Sequence, residues 1–116
     1  MLKIHDTLVV NLDNVVSIKR YDNEYAVTFF LWNGRVHNVK HNNLAARNAL
    51  FCHVWETMKN DGMSLIELPD DDVIINADAV VSIVDLHTGP VVINFVTGNA
   101  QSVNCAYGEV IDKLIS

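Results

Sequence analysis

Two segments of the chain, 11–18 and 76–83, are nearly the same. They are NLDNVVSI and NADAVVSI, so six of their eight residues are identical at a spacing of 65 positions. Similarity continues on both sides, where these positions align: Asp6 with Asp71, Val27 with Val92, Phe30 with Phe95 and, after one residue is dropped from the second copy, Gly34 with Gly98 and Val39 with Val103. A period of this length is typical of a repeated supersecondary unit.

The duplication predicts one domain made of two repeats, 1–62 and 63–116. Units of about sixty residues are marginal on their own because they bury little surface, so we expect the repeats to share one core. Half of the residues are hydrophobic and only 19% are charged, which provides enough apolar surface for such a core. This composition argues against disorder.

The spacing of apolar residues predicts the same order of elements in each repeat. Alternating strands come first, and Asn33-Gly34 gives the strongest hairpin signal because both residues tolerate positive φ. A helix follows, capped by Asn42 or Asn43, and Arg47 interrupts its apolar stripe with its guanidinium expected at the edge. The predicted fold class is therefore α+β: two tandem ββββα repeats with pseudo-twofold symmetry, whose antiparallel sheets are each covered by one helix.

Charge and hydropathy narrow the class of protein. The net charge of −6 gives no general attraction for phosphate backbones. No segment has the continuous apolar length of a transmembrane helix, and the N-terminus lacks a signal-peptide core, so a cytoplasmic protein is predicted. Cys52 and Cys105 form no paired motif and are interpreted as reduced structural thiols.

Residues with catalytic or metal-binding chemistry are present without a recognisable arrangement. His37, His41, Cys52 and His53 are zinc-ligand types, but nothing in their spacing makes them converge. Cys105 precedes the second helix, whose dipole would favour a thiolate. No phosphate-binding or hydrolase motif occurs. The prediction is a protein that is not an enzyme, with no catalytic residue, cofactor or metal.

The motif VNLDNVVSI, followed by VTFFLWNGRVHNV, resembles a pattern of small bacterial and phage proteins and, among them, the FlbD-like family of swarming-motility regulators. That resemblance covers about forty residues per copy and implies the module of strands and helix rather than a site. In layout, tandem ββββα units are also similar to the Whirly and Pur families. This second resemblance implies a surface for single-stranded nucleic acid.

The strand at 25–32 carries more large apolar groups than one half-buried strand needs, which predicts a binding surface. The residues assigned to it are Arg20, Tyr25, Phe29, Phe30, Trp32, Arg35 and Lys40, and Lys19 adds charge beside them. The leading hypothesis is a small interaction protein, encoded by a phage or mobile element, that contacts another protein such as a host factor or associates with itself. The alternatives are single-stranded nucleic-acid binding, which is less favoured, and a small ligand between the repeats.

Overall fold

The computed structural model describes residues 1–21, 25–68, 71–87 and 89–115, with only the backbone at Leu114 and Ile115. The first half contains β1 (Leu2–His5), β2 (Leu8–Val10), a 3₁₀ turn (Leu12–Asn14), β3 (Val15–Tyr21), β4 (Ala26–Leu31), β5 (Val36–Lys40) and α1 (Leu44–Asn60). The second half contains β6 (Leu65–Leu68), β7 (Val73–Asn76), a 3₁₀ turn (Ala77–Ala79), β8 (Val80–Asp85), β9 (Val91–Phe95), β10 (Ala100–Val103) and α2 (Tyr107–Ile115). The order of elements is the same in both halves.

The 3₁₀ turns form because an asparagine caps each of them. Asn11 Oδ1 accepts a hydrogen bond from the Asp13 amide at 3.2 Å, and Asn76 Oδ1 accepts one from the Asp78 amide at 3.1 Å. This side-chain bond to the backbone two residues on is the usual structural use of Asn at a turn. The repeated NxD pattern therefore has a local physical cause.

All strand pairs in the described residues are antiparallel, and the α+β class is confirmed. The described strands form three sheets, with the orders β1-β2, β5-β4-β3-β7-β6 and β10-β9-β8. The expected twofold arrangement is not confirmed, because the halves do not form equal sheets. Strand β7 of the second half pairs with β3 of the first half, and this pairing joins the halves within one sheet.

The position of the missing residue also differs from the alignment made on sequence. In the first hairpin Ser17 pairs with Phe30, and in the second Ser82 pairs with Asn94. Strand β8 thus follows β3 by 65 positions, whereas β9 follows β4 by 64. The residue is lost in the connection between these strands, not after Phe30, because connections tolerate length changes that a paired strand does not.

Among the described residues, two groups of buried side chains form the interior. The first core contains Val15, Ile18, Phe29, Phe51 and Val54, and it also includes Ile74 from the second half. In the second core the side chains of β6, β7, β9 and α2 pack around Val16 from the first half. Each core therefore buries residues of both halves, so neither half has a complete interior of its own.

Helix α1 begins as predicted, since Asn43 Oδ1 accepts a hydrogen bond from the Ala46 amide at 2.8 Å. One expectation for this helix is wrong, because Arg47 is buried rather than at the edge. The Arg47 guanidinium donates to the Tyr21 carbonyl at 3.0 Å and to Asn48 Oδ1 at 2.7 Å, which compensates for its loss of water.

Candidate functional site

The first-half strands β3, β4 and β5 present one face to α1 and the opposite face away from it. The register identifies the side chains of this second face, here named the open face: Ser17, Lys19, Tyr21, Ala26, Thr28, Phe30, Val36, Asn38 and Lys40. Val36, Asn38 and Lys40 are exposed, Lys19, Tyr21 and Phe30 are half-buried, and the remaining three are buried. The face is therefore most accessible along β5.

The open face carries two lysines and no acidic residue among its nine positions. The Lys19 ammonium lies 5.3 Å from the centroid of the Tyr21 ring, within the range of a cation–π contact. Thr28 Oγ1 donates to Asn38 Oδ1 at 2.9 Å. Asp22 and Glu24, which follow Tyr21 in the sequence, lie outside the described residues. The described part of the face is thus basic, although the chain is acidic.

A cleft of about 390 Å³ borders this face. Its first-half wall includes Phe30 and Val36, and its other wall includes Phe95, Thr97 and Gln101 from the second half. The β4–β5 hairpin turn at one end of the cleft has Gly34 at φ 83°, the left-handed conformation that glycine adopts at no steric cost. The turn at Asn33-Gly34 therefore determines where β4 and β5 end on this side of the open face.

The seven residues assigned to a binding surface from sequence do not lie together on one surface. Phe29 is fully buried in the first core and has no exposed surface for a ligand. Tyr25 and Trp32 are 40% and 39% exposed. Phe30 and Lys40 lie on the open face, and Arg35 is exposed at the hairpin turn beside it.

Arg20 has a structural role in the described part of the chain. Its guanidinium lies 2.7 Å from Asp72 Oδ1 and 4.5 Å from the centroid of the Phe51 ring. Its backbone amide also donates to the Asp72 carbonyl at 2.9 Å. These contacts connect the two halves. No sequence pattern indicates these contacts, because Arg20 and Asp72 are 52 positions apart in the chain.

Cys105 is not activated as its position before α2 suggested. Its thiol donates to the Glu109 carboxylate at 2.9 Å, and this hydrogen bond is the main cause that raises the pKa of Cys105 to about 11. The negative charge of Glu109 and partial burial act in the same direction. The nearby carboxylate outweighs the helix dipole, so the thiol stays protonated at neutral pH.

The zinc-type residues do not converge. Among the described residues, no three His, Cys, Asp or Glu side chains are grouped closely enough to hold a metal ion. Asp71 has a role that sequence reasoning missed, because its carboxylate accepts hydrogen bonds from the amides of Asn104 at 2.8 Å and Cys105 at 3.2 Å. In the same described ranges, no helix has the length and apolar character needed to cross a membrane.

A second cavity, of about 260 Å³, lies between α1, β6, β7 and α2, where the sequence suggested a ligand between the repeats. Most of its polar groups have partners within the protein. Arg20 pairs with Asp72 through Nη2, and the Trp55 indole donates to the Glu67 carboxylate. The buried Arg20 Nε has no hydrogen-bond partner among the described residues. These contacts leave few polar groups to orient a ligand.

Comparison with protein-family models finds no match, and neither does comparison with curated protein sequences. A solved structure with the same fold is described as the LytTr DNA-binding domain of a methyl-accepting/DNA response regulator from Bacillus cereus. The similarity has a TM-score of 0.61 and covers 91% of this chain and 84% of that chain, at 14% sequence identity. At this identity the similarity establishes the fold.

This finding corrects two interpretations made from sequence. The resemblance to FlbD-like, Whirly and Pur proteins is wrong, since the matching fold is that of a LytTr domain. The predicted function, contact with a host protein, is also contradicted, because the solved protein with this fold is a DNA-binding domain. The comparisons give no support to an origin in a phage.

Proposed function

We propose that this chain is a non-enzymatic, cytoplasmic domain that binds double-stranded DNA through the open face. The observation that carries the proposal is the coincidence of a basic face, free of acid among its described positions, with the fold of a LytTr DNA-binding domain. The repeats form the scaffold that holds this face. Lys19 and Lys40 are proposed to contact phosphates, with Arg35 beside them at the hairpin turn.

The overall charge of −6 does not prevent such binding. Charges are screened beyond about 8 Å at physiological ionic strength, so a phosphate in contact with the open face senses mainly the groups of that face. The distant acidic residues still reduce long-range attraction and therefore slow association. We expect modest affinity that depends strongly on salt.

Duplex DNA fits this face better than a single strand does. Binding of single strands uses exposed aromatic rings on which bases stack. Phe29 is buried, Phe30 is half-buried, and the Tyr21 ring is already in contact with the Lys19 ammonium. The face offers cations, a hydroxyl and an amide, which suit phosphate and groove contacts.

The test is a fluorescence-polarisation titration of a labelled mixed-sequence duplex at several salt concentrations, with the corresponding single strand in parallel. The variant Lys19→Gln/Lys40→Gln is compared with Lys3→Gln/Lys59→Gln. Both pairs change the formal charge by two, from −6 to −8, so total charge does not distinguish them. Lys3 is exposed beside Asp6, and Lys59 lies against the Trp55 ring of α1, away from the open face.

We expect duplex binding to weaken in the open-face variant, with the slope of log affinity against log salt reduced by about 1 for each lysine. The Lys3/Lys59 variant should retain the slope of the unmodified protein. Absence of duplex binding at low salt would refute the proposal. Equal losses in both variants would show that total charge, not the open face, is responsible.

A further inference from the structure

The two halves differ in which strand edges are paired. A shift of 65 residues relates β2 to β7 and β3 to β8. Within the described residues, β3 and β7 pair with each other, whereas β8 pairs only with β9 and β2 only with β1. The counterparts of two paired strands are therefore both edge strands. The other edges, such as β5 and β10, have counterparts that are edges as well.

Exposure follows the same relation. Ile74 on β7 is 4% exposed in the first core, but its counterpart Val9 on β2 is 54% exposed. Val16 on β3 is 2% exposed in the second core, but its counterpart Val81 on β8 is 64% exposed. Burial of the apolar side chains of Val9 and Val81 would be favourable. Each of them lies where the chain provides no neighbouring repeat to cover it.

We propose that β8 of one chain pairs with β2 of a second copy and repeats between molecules the β3–β7 contact made within each molecule. The internal register aligns Ile18 with Ile74. The counterpart of Ile18, 65 positions later, is Ile83, and the counterpart of Ile74, 65 positions earlier, is Val9. The same register therefore places Ile83 of one copy opposite Val9 of the next. This pairing gives the apolar edges of both strands a partner, and it does not depend on the DNA-binding proposal.

The composition of these strands favours such pairing. Proteins protect edge strands with lysine, proline or bulges that prevent pairing with another chain. Strand β2 is Leu8–Val10 without a charged residue, and β8 carries a single charge, Asp85, at its end. Strand β8 has a bulge between Val80 and Ser82, but β3 has the same bulge between Val15 and Ser17 and still pairs with β7. The contact joins two different edges, so it is heterologous and extends into a ring or an open chain of copies.

A second copy is the occupant that the structure itself specifies. The partner of β8 must present an antiparallel strand with the spacing and apolar pattern of β7, and β2 is the strand related to β7 by the duplication. Both edges also occur on every molecule. Each molecule therefore carries both the unpaired edge of β8 and the strand that fits it, β2.

Disulfide cross-linking tests the register. One protein carries Val9→Cys and another Ile83→Cys, both with Cys52→Ser and Cys105→Ser. Opposed residues in antiparallel strands have Cα atoms about 4.5 to 5.5 Å apart, within the range of a disulfide. We expect a dimer band after mild oxidation of the mixture and none from either protein alone. A mixture of Val9→Cys and Ser82→Cys, one residue out of register, should cross-link far less.

Light scattering after size-exclusion chromatography tests the association itself. We expect the mass to rise above 13.0 kDa with concentration. Val81→Lys or Val9→Lys should weaken association roughly tenfold or more, because each buries a charge at the paired edge. Val36→Lys is the matched control, since Val36 is 51% exposed on another edge strand, β5.

Circular dichroism establishes that each variant is folded; the three substituted valines are exposed, which favours folding. A mass of one chain at every concentration, with no disulfide in the mixed sample, would overturn the proposal. Association that Val81→Lys and Val9→Lys leave unchanged would also overturn it, because a different surface would then be responsible.

Discussion

Asn76 and its counterpart Asn11 provide a matched pair for measuring how strongly the halves are coupled. Both side chains cap a 3₁₀ turn through Oδ1. Asn76 also donates from Nδ2 to the Val15 carbonyl at 3.1 Å, a buried bond from the second half to the first. Asn76 is buried, whereas Asn11 is half-buried. Comparing Asn76→Ala with Asn11→Ala therefore separates the bond between the halves from the cap.

The expected magnitudes follow from these contacts. Loss of an asparagine cap costs about 1 kcal/mol, and this cost is common to both variants. Asn76→Ala additionally leaves the buried Val15 carbonyl without this donor, which costs about 1 to 3 kcal/mol more. For a chain of this size the additional cost corresponds to a fall in Tm of about 4 to 12 °C beyond that of Asn11→Ala.

Urea unfolding followed by circular dichroism measures both free energies, with equal m values as the condition for comparison. Asn76→Asp is a second comparison, since it keeps the cap acceptor but replaces the donor to Val15 by a carboxylate oxygen at a buried position. We expect Asn76→Asp to be clearly destabilised and Asn11→Asp to be nearly neutral. If Asn76→Ala and Asn11→Ala lower the free energy of unfolding equally, the bond between the halves contributes nothing and the reasoning is wrong.

Two further predictions concern burial and thiol chemistry. Phe29→Ala should lower the free energy of unfolding by about 3 to 5 kcal/mol in urea titrations, because Phe29 is fully buried, whereas Trp32→Ala should cost much less. Comparable losses at both positions would contradict the assigned core. Iodoacetamide should alkylate Cys105 far more slowly than the exposed Cys52 at pH 8, because the rise of the Cys105 pKa from 9.0 to about 11 lowers the thiolate fraction of Cys105 about a hundredfold. Glu109→Gln should bring the two rates closer, and the contrast should disappear as the pH rises through 11; equal rates in the unmodified protein at pH 8 would refute the assignment.

The sequence alone determined the local structure of this protein. The α+β class, the cap at Asn43 and the hairpin at Asn33-Gly34 all depend on residues within a few positions of one another. The repeated NxD turns are local in the same way. Short-range hydrogen bonds and positive φ values leave a signal in the sequence because the residues that satisfy them are neighbours.

Only the tertiary structure decided how these elements combine. The β3–β7 pairing, the contact of Arg20 with Asp72 and the burial of Arg47 join residues between 26 and 58 positions apart. The alternation of apolar residues indicates that a strand has a buried face, but it does not specify which strand pairs with its edge. That choice depends on which long-range contacts together bury the most apolar surface. It makes β3 a central strand, leaves β8 at an edge, and exposes the open face.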